Sequence, residues 1–266
     1  MTPELQEFVR LAPLGLLVGA YGTLVGAGGG SVLVPALLML LPKETPATVT
    51  AISLAVVFFN AYSGTIAYMR MGRVDYRAGT VFTLAGLPGA VLGTFLVHEM
   101  PRKLFDPIFG VLLVVIGGLL VTNPLGRRQS VAGEEPDHGG LSERCMLLGS
   151  VGSAYIGLLS SLLGIGGGII HVPFLIRALR MPTHTATATS HFVLTFIALT
   201  ATITHVALGE FERGIAETMY LAVGVMMGAP LGAALSTRLH GSLILRLLAV
   251  ALCLVGVRLL WAMEWI

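Results

Sequence analysis

Three features of this sequence predict an all-α fold that crosses a membrane several times. Of its 266 residues, 55% are hydrophobic and 11% charged, against about 25% charge in a soluble domain. Thirty-four glycines beside only 7% aromatics suit helices that pack through small residues in lipid. Charge-free stretches also recur at the length a bilayer core of about 30 Å demands, roughly 20 helical residues. These features argue against a water-soluble enzyme. A net charge of +2 from 16 basic and 14 acidic residues leaves no basic surface for nucleic acid.

The elements follow in order. A polar lead, residues 1–10, lacks the basic region and small-residue cleavage site of a signal peptide. The long stretch 11–42 then contains no Asp, Glu, Lys or Arg, and is followed by 47–69, 78–97 and 107–122. A polar linker, 123–144, interrupts. After it comes 145–176, equally long and again without formal charge, then 181–209, 218–237 and 239–263. One long segment followed by three ordinary ones therefore occurs twice. GAGGGSVLVP from Gly26 to Pro35 matches GIGGGIIHVP from Gly164 to Pro173 at an offset of 138. Ser53 and Ser190, and Gly72 and Gly209, pair at 137; Gly93 and Gly232, and Gly117 and Gly256, pair at 139. Near-constant offsets over so long a stretch mark an internal repeat. The chain reads as two homologous four-segment halves, 11–122 and 145–263.

An unbroken helix over either long segment would extend about 48 Å, well beyond the hydrocarbon core. Each long segment carries three consecutive glycines, with a proline five positions after the last. Gly costs about 1 kcal/mol and Pro about 3 in a helix interior. The segments are thus expected to break into two helices each. With proline in the first turn, the second pieces should start near 31–34 and 169–172. Such a start at membrane depth exposes unpaired N–H groups and the positive end of a helix dipole, a setting that favours anions. Irregular backbone there is tolerated only when buried in protein or lining a cavity, and paired broken helices point to a transporter binding site. Close helix packing through glycine is the alternative; recurrence with a matched proline weighs against it.

The doubled GxGGGxxxVP, with the two four-segment halves, resembles the TauE/SafE family of sulfite-exporter-like membrane proteins over about residues 11–260. The resemblance implies secondary transport of a small anion such as sulfite, sulfoacetate or another sulfonate. Residue by residue, it points to Gly28, Gly29, Gly30 and Pro35, and to Gly166, Gly167, Gly168 and Pro173. His171, which faces Leu33 in the other half, departs from a two-fold equivalent site.

Two topologies compete. If all eight segments cross, the halves are parallel and the basic residues divide nine against seven. If each long segment enters and returns on one side, the halves are inverted and the division is ten against six. The positive-inside rule mildly favours the second, with both termini outside.

No carboxylate lies deep in a span; Asp106 and Glu217 sit near segment ends. Histidine is then the side chain left to exchange protons near neutral pH. His184, His191 and His205 fall on one helical face with Thr187, Thr195 and Thr202. His191 should be deepest, and the outer two are read as residues among headgroups. The substrate-binding candidates are Gly28, Gly29, Gly30, Ser31, Ser53, Asn60, Gly166, Gly167, Gly168, His171, Thr187 and Ser190. His191 is the candidate for proton coupling, and Pro35 and Pro173 are structural. The expected function is a carrier of a small oxyanion or sulfonate working by alternating access, in the cell membrane, with no cofactor and no metal. An anion channel on the same scaffold, a metal-ion permease using the histidines, and an intramembrane enzyme using Ser190 and His191 are the rivals. Oligomeric state is left open.

Overall fold

The computed structural model describes residues 3–41, 44–122, 141–211 and 214–239, together with nine positions between 243 and 261. In chain order the helices are α1 (Pro3–Val25), α2 (Gly30–Leu40), α3 (Pro46–Arg70), α4 (Tyr76–His98), α5 (Arg102–Thr122), α6 (Glu143–Leu163), α7 (Gly168–Ala178), α8 (Thr183–Ala207) and α9 (Ile215–Ser236). The nine later positions are also helical, and no strand occurs among the described residues. Most of the linker 123–144 and much of the last expected segment, 239–263, lie outside the described residues. Among the described residues, six helices, α1, α3, α4, α6, α8 and α9, are long and apolar enough to cross a membrane. The chain is a multi-pass membrane protein.

Local chemistry sets the boundaries. Thr45 caps α3 by accepting from Thr48 N, with Pro46 at the first position. Asp75 accepts from Ala78 N at 3.0 Å to start α4, and Ser142 caps α6. These side chains satisfy N–H groups that a helix start leaves unpaired. α2 and α7 begin without any such cap, on Gly29 and Gly167 at φ 82° and 80°. Both helices start at the third glycine of the triplet, one residue before the expected window. Pro35 and Pro173 consequently lie in the second turn, not the first. The break itself is as expected: each long segment is a full-length helix followed by one of 11 residues.

Contacts between helices fix their directions. Ala12, Leu16 and Ala20 of α1 meet Gly224, Gly228 and Gly232 of α9, so the two run parallel with backbones in contact. Gly89 and Gly93 of α4 meet Ala154 and Leu158 of α6 in the same parallel sense. α3 and α8 are antiparallel: Thr50 lies by His205 and Thr65 by Thr195. Gly214, the residue before α9, lies by Ile52 and Met226 by Ser63, which sets α9 parallel to α3. Asp75, just ahead of α4, lies by Thr189, and Gly79 by Phe192, which sets α4 parallel to α8.

So α1, α3 and α9 point one way, and α4, α6 and α8 the other. Because α1 and α3 share a direction, α2 must carry the chain back to the face where α1 began. α7 does the same after α6. The long segments are therefore hairpins that enter and return, and the two topologies open from sequence reduce to the inverted one. Contacts between the segments before and after the linker come in matched pairs: α1 on α9 with α4 on α6, and α3 on α9 with α4 on α8. Arg70, Arg73, Arg77, Arg144, Arg177, Arg180 and Arg238 gather at one end of the bundle, the end the positive-inside rule assigns to the cytoplasm. At the other end, Arg102 Nη2 donates to Leu38 O at 2.8 Å and braces the last turn of α2.

This topology is checked with single cysteines at Arg70 and Glu99, both exposed, after replacing Cys145 and Cys253 by serine. A membrane-impermeant maleimide should label Glu99→Cys from outside intact cells and Arg70→Cys only after permeabilisation. Labelling of both from one side would contradict inverted hairpins.

Candidate functional site

Each glycine joint adopts backbone angles that other residues rarely reach. Gly26, Gly28 and Gly29 have φ of 76°, 72° and 82°; Gly164, Gly166 and Gly167 have 69°, 75° and 80°. The left-handed region disfavours any residue with a Cβ. The first glycine of each motif, Gly26 and Gly164, therefore belongs to the joint as much as the triplet does. The third glycine acts by closeness instead. A Cβ on Gly30 would lie 2.8 Å from Gly164 O and from Ile165 Cα, and one on Gly168 would strike Gly26 O and Ala27.

The two joints thus touch each other, backbone against backbone, in the middle of the bundle. Val57 and Leu194, a pair at the repeat offset, close both joints from the sides: each fills the space beside Gly28 and beside Gly166. Val57 is fully buried and Leu194 nearly so.

The N–H groups at the two half-helix starts repeat one pattern. Val32 N and Leu33 N both donate to Gly29 O, at 3.1 and 3.0 Å; Ile170 N and His171 N both donate to Gly167 O, at 3.0 and 2.8 Å. Among the described residues, the N–H groups of Gly29, Gly30 and Ser31, and of Gly167, Gly168 and Ile169, meet no acceptor. Buried donors are nearly always paired, so six free ones at one place require a reason.

The side chains around the joints are not equivalent. At the first, Asn60 Nδ2 donates to Gly28 O at 2.8 Å, and Thr23 Oγ1 donates to Asn60 Oδ1 at 2.9 Å. His191 Nε2 lies 3.3 Å from Thr23 Oγ1. Only one proton is available on a hydroxyl, and Thr23 has given its own to Asn60. His191 Nε2 must then carry the hydrogen, which leaves Nδ1 as the acceptor, and that atom is buried without a partner. Tyr68 Oη donates to Thr23 O at 2.7 Å and its ring meets the His191 ring edge-on at 5.6 Å. At the second joint, Ser53 Oγ donates to Gly164 O at 2.7 Å. The hydroxyls of Ser160 and Ser161 are buried and unpartnered, and Ser160 Oγ lies 3.0 Å from where a Cβ on Gly167 would sit. Ser31 Oγ and Ser190 Oγ are likewise buried and unpartnered. Thr187 packs on Gly26, and its counterpart Thr50 packs on Gly164.

Most of the residues singled out from sequence therefore border the joints: the triplets themselves, Ser31, Ser53, Asn60, Thr187 and His191. His171 does not. Its Nε2 lies 3.1 Å from Ser153 Oγ on α6, and its ring packs on Phe82 and Phe174, away from the other joint. The histidine stripe of α8 also divides. His184 is half-buried near one end, while His205 is fully buried, with Nε2 3.5 Å from Thr50 Oγ1, instead of sitting among headgroups. Sequence reasoning missed Thr23, Tyr68, Thr50, Ser160 and Ser161. The repeat offset could have found Thr50 through Thr187 and Tyr68 through His205; Thr23, Ser160 and Ser161 carry no local signal.

Comparison with known proteins meets this architecture. Residues 11–259 match the family model described as Sulfite exporter TauE/SafE. The chain belongs to the TauE/SafE family. It is 30% identical over 269 residues to the "Probable membrane transporter protein YunE" of Bacillus subtilis, covering 96% of this chain and 98% of that one. A "Probable membrane transporter protein" of Xylella fastidiosa Temecula1 is 30% identical over 259 residues, covering 97% and 96%. The archaeal "Probable membrane transporter protein MJ0441" of Methanocaldococcus jannaschii is 26% identical, covering 83% and 82%. No solved structure matches the chain. The chain is a membrane transporter of the TauE/SafE type, and the family and relatives' names give no sign of an enzyme.

Asn60 ties α1, α3 and the first joint together through two buried hydrogen bonds. Asn60→Leu should cost about 1–3 kcal/mol by stranding the Gly28 carbonyl. The measurement is the thermal melting point of the purified protein in detergent, which should fall in Asn60→Leu and stay near wild type in the exposed control Tyr62→Phe.

Proposed function

We propose that the chain is a secondary transporter of a small oxyanion or sulfonate, carried by alternating access around the two glycine joints. The supporting observation is the meeting of two half-helix N-termini, from opposite faces, each with three free N–H groups. Dipoles of helices that start at mid-depth leave partial positive charge there, and an anion is the ligand that such donors hold. Ser160, beside Gly167, and Ser31, in the first turn of α2, add unpartnered hydroxyls at the same backbone, which suits a ligand with several acceptor oxygens.

The backbone contact between the joints gives the motion its form. An anion reaches the N–H groups only when α2 and its joint part from α7 and its joint. Because the hairpins are inverted, parting on one face leaves contact on the other, as alternating access requires. Gly28 and Gly166 pack against the same two apolar side chains, Val57 and Leu194, which act as the dry seal between the two openings. His191 supplies the proton-coupling group: Nδ1, the free acceptor of the Thr23–Asn60 network, takes a proton and places positive charge beside the first joint.

Sulfite and a sulfonate such as sulfoacetate are the substrates to test first. Proteoliposomes holding the wild type should show saturable counterflow of labelled sulfite or sulfoacetate, which a channel would not show. Gly167→Val should abolish it at normal membrane levels, since a β-branched residue at φ 80° is strained and its Cβ would lie against Ser160. Ser160→Ala should weaken it by about 10-fold, the scale of one hydrogen bond to a charged group. Preserved counterflow in Gly167→Val would overturn the site assignment.

A further inference from the structure

α3 and α8 end in the same turn but carry opposite charges there. Gly72 and Gly209, a pair at the offset of 137, both adopt left-handed angles of 66° and 76°. Beyond them Arg73 N donates to Tyr68 O at 3.3 Å, and Glu210 N donates to His205 O at 3.1 Å. Tyr68 matches His205, and Arg73 matches Glu210, at that same offset. One turn therefore presents a guanidinium at the cytoplasm-assigned end, and the other presents a carboxylate at the opposite end.

Their surroundings differ as well. Glu210 is engaged: its Oε1 accepts from His98 Nδ1 at 2.6 Å, which joins the ends of α4 and α8. They line an open cavity of about 440 Å³ with Arg102, Glu44 and Glu99. Arg73 is not engaged. Its Nη1 is buried and has no hydrogen-bond partner, and none of the ion pairs among the described residues includes it. The neighbouring carboxylate, Asp75, accepts from Ala78 N as the cap of α4. Tyr68 and His184 are the titratable groups that share the field of Arg73. Tyr68 connects the place inward, since its hydroxyl donates to the Thr23 carbonyl just ahead of the first joint.

A buried guanidinium N–H without an acceptor is costly, and an oxyanion is the acceptor that a guanidinium binds best. We propose that Arg73 is an anion-receiving residue between the end of α3 and the start of α8, where it holds an oxyanion through Nη1 before the anion reaches the glycine joints. The assignment rests on reading the chain as an anion transporter and adds a site outside the joints. It makes the two faces unequal: the Arg73 face captures the anion, while the Glu210 face repels it and favours its release outward.

The test measures binding and transport separately on full-length protein. Sulfite should raise the melting temperature of the detergent-purified wild type in a saturable way that weakens with added sodium chloride, because exposed parts of such a site are screened. Arg73→Gln should bind sulfite at least about 10-fold more weakly and raise KM for sulfite in proteoliposomes with kcat little changed. Arg73→Lys, which keeps the charge, should recover part of the affinity, a rescue that a merely structural arginine would not show. Gly167→Val should keep the Arg73-dependent binding while losing transport. If sulfite binds and Arg73→Gln binds it as the wild type does, or if the wild type shows no saturable stabilisation, the Arg73 site is overturned. If binding depends on Arg73 but the wild type carries no sulfite across the membrane, the site stands and the transport reading falls.

Discussion

The backbone-to-backbone contact of the two glycine joints is the constraint on which the rest of the molecule is arranged. Gly30 against Gly164 and Ile165, and Gly168 against Gly26 and Ala27, leave no room for a Cβ on either side. Helices cannot start in hydrocarbon without exposing N–H groups, so both starts must be wrapped by protein. α3 and α8 supply the wrapping, with Val57 and Leu194 pressed against both joints and Asn60 and Ser53 satisfying joint carbonyls. Around them α1 packs on α9 and α4 on α6 through glycines, close enough to hold the hairpins in place.

Asymmetry between two similar hairpins is where the chemistry enters. The first joint is braced by a directional chain of hydrogen bonds that begins at the Gly28 carbonyl. That carbonyl can only accept, so Asn60 must turn its amide toward it, Thr23 must donate to Asn60, and His191 must donate to Thr23. The second joint has no such chain. Ile197 stands where symmetry would place an equivalent of Asn60, and Ser160 and Ser161 are left with free hydroxyls. One joint is thus held by side chains, and the other offers donors to something else. The ends of α3 and α8 repeat this contrast with Arg73 and Glu210.

Such a design explains the near absence of carboxylates inside. An acidic side chain near either half-helix start would occupy the N–H groups as an internal ligand and compete with an external anion. The carboxylates of the described spans instead stay at helix ends: Asp75 as a cap, Glu210 with His98, and Asp106 with Arg102.

The sequence by itself determined the membrane class, the segment lengths, the two broken helices and the positions of their glycines, because hydrophobic length and the Gly and Pro penalties act locally along the chain. It also singled out Ser53, Asn60, Thr187 and His191 as polar residues in apolar helices, and these do border the joints. The start of each half-helix fell one residue early because close contact with the other joint, not the proline, sets the boundary. His171 turned away to Ser153 because only the packing of α7 against α6 and α4 decides which way that face points. Thr23 and Ser160 were not legible, since nothing local distinguishes a joint-facing Thr or Ser from any other in a helix, and Arg73 read only as one of the basic residues that orient the chain. Their roles come from partners that only the inverted pairing of hairpins brings within reach, and that pairing was decided by which helices share a direction.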